Sequence, residues 1–152
     1  MQLIMKEDLM PRIMKSMNAI SRCQAIYRVA KLPSDLVSYH HSLILNICHV
    51  PGRSQDDYAR ELCLSKSSVT RALALFEARG LITRVTNPED KRETLVYPTD
   101  EMKKLYPEVK RISKEWTMAI SEDITDDEFR VFESVLVRLE ARARELAEVK
   151  LK

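Results

Sequence analysis

Glycine is almost missing from this chain: two in 152 residues, Gly52 and Gly80, so no Gly-rich linker separates its parts. The compact signatures of catalysis are missing too: no phosphate loop, no nucleophile elbow, no H-E-x-x-H pair. An enzyme is therefore not expected. Cysteine is sparse, and Cys23, Cys48 and Cys63 show no C-x-x-C spacing. An odd number without a pairing pattern points to reduced thiols, by default small buried hydrophobes. His40, His41, Cys48 and His49 could offer nitrogen and sulfur to zinc, with His41 and Cys48 two turns apart on one helix face. A closed site needs four converging ligands, however, and this spacing supplies no motif. No metal and no cofactor are expected.

Long hydrophobic runs are lacking as well. The longest uncharged stretch, Leu36 to Gly52, holds three His, an Asn and two Ser and is short for a membrane span. Lys6, Glu7, Asp8, Pro11 and Arg12 stand where a signal peptide would be apolar. The expectation is a soluble cytoplasmic protein with no membrane partner, of a length that suits one domain with a sizeable core or one domain plus dimerisation arms. An excess of one charge sign is also absent, since the net charge is only +2. A nucleic-acid footprint would need local placement of Lys66, Arg71, Arg84, Lys91 and Arg92, with the acids turned elsewhere.

What the chain does have is concentrated between Ser54 and Asp100. Ser54 can cap a helix, Asp57 favours its exposed N–H end, and Tyr58, Ala59 and Leu62 form one apolar face. After a short link, Ser65 can cap a second helix in which Val69, Ala72, Leu73 and Phe76 recur at helical spacing, and Gly80 ends it. The opposite face of that second helix carries Ser67, Thr70, Arg71, Ala74 and Ala78, a stripe of small or hydrogen-bonding side chains with almost no acid. A major groove requires such a face: short side chains near the helix start, and an Arg able to bond guanine through two N–H groups. Leu81 to Val85 and Thr94 to Tyr97 then alternate as paired strands around the turn cluster Asn87-Pro88-Glu89-Asp90, with Lys91 and Arg92 just beyond. A hairpin tip bearing Arg can enter a minor groove beside a helix lying in the major groove. Together these elements make a winged helix-turn-helix.

The segment SQDDYARELCLSKSSVTRALALFEARGLITR, followed by NPEDKRETLVYPTDE, resembles the MarR-type transcriptional regulators, dimeric winged-helix proteins, over about Pro51 to Pro107. Asp90-Lys91-Arg92 matches the family's D-x-R wing tip. The resemblance implies that Arg92 reaches into a minor groove, that Asp90 helps hold the wing, and that Ser65 to Arg71 form the base-reading end of the helix. With the cations named above, the expected DNA-contacting set is Ser54, Gln55, Ser65, Lys66, Ser67, Ser68, Thr70, Arg71, Arg84, Asp90, Lys91 and Arg92. Two departures stand out. The family's L-T-x-x-G after the wing reads Pro98-Thr99-Asp100-Glu101-Met102 here, and Cys63 holds a position often occupied by Gly.

Helices flank the wing on both sides. Asp8 to Ala30 reads as a first helix, with Pro11 in its first turn and Leu9, Ile13, Met17 and Ile20 on one face. Another runs from near Ser34 to Val50. A helix from about Asp100 to Ser121 is expected to be bent or interrupted at Pro107. The last opens at Thr125, where Glu128 completes a capping box, and Phe129, Phe132, Leu136, Leu139, Ala143 and Leu146 form a coiled-coil seam. The expected organisation is helices over 1–50, the winged region over 51–99 and dimerisation helices over 100–152, a mainly α fold with a small β-wing. First and last helices would interleave in a homodimer reading a palindromic DNA site. Tyr27, Arg28, Tyr39, His40, His41 and Trp116 would flank a cavity for a small aromatic or anionic effector that releases DNA, as many MarR-type proteins do. The alternatives are a winged helix that binds protein rather than DNA, or a thiol sensor through Cys23 or a metal sensor of the same fold.

Overall fold

In the computed structural model, which describes residues 2–32 and 38–150, side-chain hydroxyls mark where the central helices begin. Ser54 closes a full capping box: its Oγ accepts from the Asp57 N–H at 3.3 Å, while the Asp57 carboxylate accepts from the Ser54 N–H and hydroxyl. Helix α3 (Gln55–Glu61) follows. Ser65 Oγ takes the Ser68 N–H at 3.1 Å and opens α4 (Lys66–Ala78). The flanking helices are α1 (Gln2–Lys31) and α2 (Ser38–His49) before this pair, and α5 (Asp100–Ile120) and α6 (Asp126–Lys150) after it.

Both central helices end in the same way. Leu64 N–H bonds Ala59 O and Cys63 N–H bonds Arg60 O; Leu81 N–H bonds Phe76 O and Gly80 N–H bonds Glu77 O. These are two Schellman closures, each needing a left-handed residue after the cap. Gly80 supplies one at φ +66°, and Cys63 adopts the other at φ +52°. The place where glycine is common therefore keeps its backbone shape here with a side chain attached.

Strands β2 (Ile82–Thr86) and β3 (Thr94–Pro98) form the wing, with Thr86 opposite Thr94 and Ile82 opposite Pro98. A third strand, β1 (Arg53–Ser54), pairs antiparallel with β3, giving the order β1-β3-β2. Two residues are too few to show alternation, so β1 left no trace in the sequence pattern. The exit from the wing is carried by Thr99. Its hydroxyl donates to Gly80 O at 2.7 Å and accepts from the Met102 N–H at 3.4 Å, while its own N–H reaches Leu81 O. Thr99 thus caps α5, and Met102, at the family's Gly position, is fully buried.

Two expectations about proline need correction. Helix α1 starts at Gln2, which places Pro11 inside it rather than in its first turn; one missing N–H costs a single rung that a helix of 30 residues outlasts. Helix α5 is continuous through Pro107, an exposed position where a single rung of a 21-residue helix is lost. The start of α2 near Ser34 lies outside the described residues.

The residues divide into two units, Met1–Trp116 and Thr117–Lys152. In the first, Leu43, Ile44 and Ile47 of α2, Tyr58 of α3, Leu73 and Phe76 of α4, Val96 of β3, and Met102 and Ile112 of α5 are buried to 1% exposure or less. That single core fixes α4 and the wing on one framework. In the second unit, α6 begins with the expected capping box: Glu128 accepts from the Thr125 N–H at 2.9 Å, and Thr125 Oγ1 accepts from the Glu128 N–H at 3.4 Å. Among the described residues no helix is long and apolar enough to cross a membrane.

Candidate nucleic-acid interface

Helix α4 buries Val69, Ala72, Leu73 and Phe76 and turns Ser67, Thr70, Arg71, Ala74 and Ala78 outward. At its start the hydroxyls are already linked to one another. Ser65 donates to Ser68 Oγ at 2.8 Å and lies 3.1 Å from Ser67 Oγ, and Thr70 donates back to Lys66 O at 2.8 Å. Arg71 is exposed; its guanidinium reaches Ser68 Oγ at 3.5 Å, and among the described residues it has no ion-pair partner. No acid occupies the first turn, so the N–H end of α4 meets no competing carboxylate of its own.

The acids of the region are not turned elsewhere, which corrects the reading of its charge. Asp56 holds Lys66 Nζ at 2.6 Å, Glu77 holds Arg84 Nε at 2.9 Å, and Asp90 holds Arg92 Nε at 3.2 Å. The Lys66 and Arg84 pairs join separate elements whose register only the fold sets, whereas Asp90–Arg92 lies within the wing-tip turn itself. Ser54 is buried, with its hydroxyl committed to Asp57 at 2.8 Å. Gln55 follows it at the first position of α3, half-buried.

At the wing tip, Asp90 Oδ1 accepts the Arg92 backbone N–H at 3.0 Å and Asn87 Oδ1 accepts the Glu89 N–H at 3.0 Å, two side chains that tighten the turn. Asn87 N–H and Glu93 O close the hairpin at 2.9 Å. The Arg92 guanidinium beside Asp90 holds that carboxyl below its ordinary range. The Arg92 side chain is 92% exposed, and neighbouring Lys91 is exposed without an ion-pair partner among the described residues. Between the wing and the start of α3 lies a polar cleft of about 370 Å³, bordered by Gln55, Asp56, Arg84, Asp90 and Arg92.

A family model described as the MarR family matches residues 34–93, the span that holds α3, α4 and the wing tip. Over that span the chain is similar to the MarR family, and it folds as a winged helix-turn-helix. The uncharacterized HTH-type transcriptional regulator YdgJ of Bacillus subtilis (strain 168) is 28% identical over 97 residues, covering 64% of this chain and 59% of that protein. The crystal structure of the transcriptional regulator SlyA superposes with a TM-score of 0.83 at 21% identity, covering 90% of this chain and 96% of that one. A putative MarR family transcriptional regulator from Listeria monocytogenes, complexed with 26mer DNA, gives a TM-score of 0.77 at 20% identity, covering 90% and 89%. These likenesses show a winged-helix fold of the kind seen in MarR-type structures.

A buried polar cluster joins α1, α2 and α5. Arg28 of α1 is 9% exposed; its Nη1 donates to His41 Nδ1 at 2.8 Å and its Nη2 to Gln24 Oε1 at 2.8 Å. Arginine offers donors only, so Nδ1 must accept and the neutral ring carries its proton on Nε2, which donates to Ser113 Oγ of α5. Burial, and then the neighbouring Arg28 charge, pull the His41 pKa down to about 4. With both ring nitrogens engaged, His41 has none to offer a metal. His40, also buried, stands edge-on to Phe76 of α4 with ring centroids 5.4 Å apart, while Tyr27 packs on Trp116 at 5.3 Å. The Tyr39 side chain lies outside the described residues. Ser113 and Gln24 were not anticipated, since nothing in the sequence ties them to a histidine on another helix.

Of the three thiols, Cys23 and Cys63 are exposed and Cys48 is half-buried, with its pKa raised by burial. The default of buried small hydrophobes does not hold for the first two.

Proposed function

We propose that this chain is a sequence-specific double-stranded-DNA-binding transcriptional regulator, a repressor acting as a homodimer on a palindromic operator. The observation that carries the reading is the pairing, on one rigid core, of an exposed small-residue face on α4 with a 92%-exposed Arg92 at the adjoining wing tip. A protein-binding wing has no use for Arg at both groove-facing positions. The DNA-bound Listeria relative, which has the same fold, supports it. In this reading Arg71 reads a base edge, Arg92 enters the minor groove, and Ser65, Ser67 and Lys66 meet phosphate at the helix start. Lys66 and Arg92 each exchange an internal carboxylate for DNA, so part of their binding energy goes into breaking those pairs.

Dimerisation falls to α6 and α1. Phe132 and Leu146 are 53% and 52% exposed in the single chain, Leu9 and Ile20 48% and 50%, and Phe129 and Ala143 are also exposed. Leu136, Leu139, Ile13 and Met17 are half-covered. A small anionic or aromatic effector would act at Tyr27, Arg28, His40, His41 and Trp116, where the buried Arg28 has only neutral partners among the described residues. Such a ligand releases DNA only by binding one dimer geometry better than the other.

The deciding experiment is a selection from genomic fragments with the purified protein, which should enrich a palindrome. Arg71→Ala should then cost about 1–3 kcal/mol on that site and relax discrimination at one base pair. Arg92→Ala should weaken preferred and random duplexes more evenly, with a shallower salt dependence. Equal duplex affinity of parent and both variants sinks the DNA reading.

A further inference from the structure

Arg84 stands apart from the other cations of the wing. It sits on β2 two residues after Ile82, hence on the same face of the strand, and Ile82 is 3% exposed in the core. Its side chain is only 25% exposed, whereas Arg92 is 92% exposed. The partner, Glu77, lies in the last turn of α4, three residues after Ala74 and therefore beside the outward-facing small-residue stripe. Only the Schellman turn at Gly80 separates the two elements; the backbone there is tied through Thr99 to Gly80 O and Leu81 O, but among the described residues no backbone hydrogen bond joins α4 to the outer part of the wing. Helix α4 and strand β2 thus meet twice, through Ile82 in the core and through Glu77–Arg84 outside it.

We propose that the Glu77–Arg84 pair is a positioning brace: it holds the wing at a fixed distance from the recognition helix, so that Arg71 and Arg92 meet adjacent grooves together. Arg84 then acts through Glu77 and not by touching phosphate. The pair also neutralises a carboxylate that would otherwise stand next to the DNA-reading stripe. The role in specificity rests on the DNA-binding reading above; the brace itself is a property of the DNA-free protein and is measurable there.

Glu77→Gln, Arg84→Gln, the charge-swapped double variant Glu77→Arg/Arg84→Glu and the conservative Arg84→Lys test it. In DNA-free protein, amide hydrogen exchange over residues 83–95 should quicken in both Gln variants and return towards the parent rate in the swapped and Lys variants. With DNA, the ratio of affinity for the selected duplex to affinity for random duplex should fall about fivefold per half-site in each Gln variant, the scale of a partly exposed ion pair. It should recover in the double variant. The slope of affinity against salt should stay at the parent value, because no phosphate contact is removed. Unchanged wing exchange in both Gln variants overturns the brace. So does a loss confined to Arg84→Gln with a shallower salt slope and no recovery in the double variant, which marks Arg84 as a direct contact. A parent protein that binds no duplex refutes the function proposed above and the specificity role with it, while the exchange rates still decide whether the brace exists.

Discussion

At Cys63 the backbone turns left-handed with φ +52°, in a conformation that crowds the Cβ of any residue except glycine. The strain is offset by the Schellman bonds to Arg60 O and Ala59 O, which satisfy the carbonyl end of α3. The side chain is exposed and holds little packing energy. Cys63→Gly should therefore stabilise the fold by about 0.5–1 kcal/mol, the left-handed penalty less the extra chain entropy of glycine, read as a higher urea midpoint with unchanged m. His41 runs the other way. Its folded pKa of about 4 lies below the ordinary 6.5, so between those values the unfolded chain binds more protons and stability falls as pH falls. The loss is complete near pH 4 and amounts to about 3 kcal/mol. Urea unfolding between pH 7 and 4.5 should show this slope, and His41→Asn should flatten it. An equal slope in both proteins would show that other groups carry the acid sensitivity.

The joints between elements explain which parts of the fold were legible. Helices announced by a hydroxyl and a carboxylate three residues on, at Ser54–Asp57 and Thr125–Glu128, stand where the sequence put them, because a capping box is a local bond that needs nothing from the rest of the chain. The β2–β3 hairpin was legible for the same reason, its turn being written in Asn87 and Asp90. What stayed hidden was long-range. Strand β1 exists only because β3 lies beside it, the Arg28–His41–Ser113 chain joins three helices, and the Asp56–Lys66 and Glu77–Arg84 pairs depend on register. Thr99 belongs to this second class: it resembles a plain loop residue, yet one hydroxyl closes both the end of α4 and the start of α5. Thr99→Val, which keeps the shape and removes the oxygen, should cost about 1–2 kcal/mol, and Thr99→Ser should restore most of it. A melting temperature unaffected by Thr99→Val would show that water replaces the hydroxyl without loss.

For the molecule as a whole, the decisive quantity is the apolar surface that one copy leaves open. On α6 alone, Phe129, Val131, Phe132, Val135 and Leu146 are between 38% and 66% exposed. Isolated apolar residues are ordinary on a surface, but a contiguous run at helical spacing marks an interface. Sedimentation at micromolar concentration should give about twice the 17.6 kDa chain mass. Leu136→Asp with Leu139→Asp should lower both the mass and the melting temperature, and no change in either would show that this seam faces no partner. Two recognition helices on one symmetric particle would then dictate a site with two half-sites spaced by a helical turn of DNA.

The short strand β1 also orders events in time. The β2–β3 hairpin joins neighbours and can close within microseconds, but Arg53 and Ser54 must wait for Val96 and Leu95, about forty residues further on. Gly52 waits with them, since its N–H bonds Val96 O at 2.9 Å. A ribosome making this chain therefore synthesises α3 and α4 before the strand that β1 pairs with. The residues that complete the three-stranded sheet are thus the last of the wing to be made.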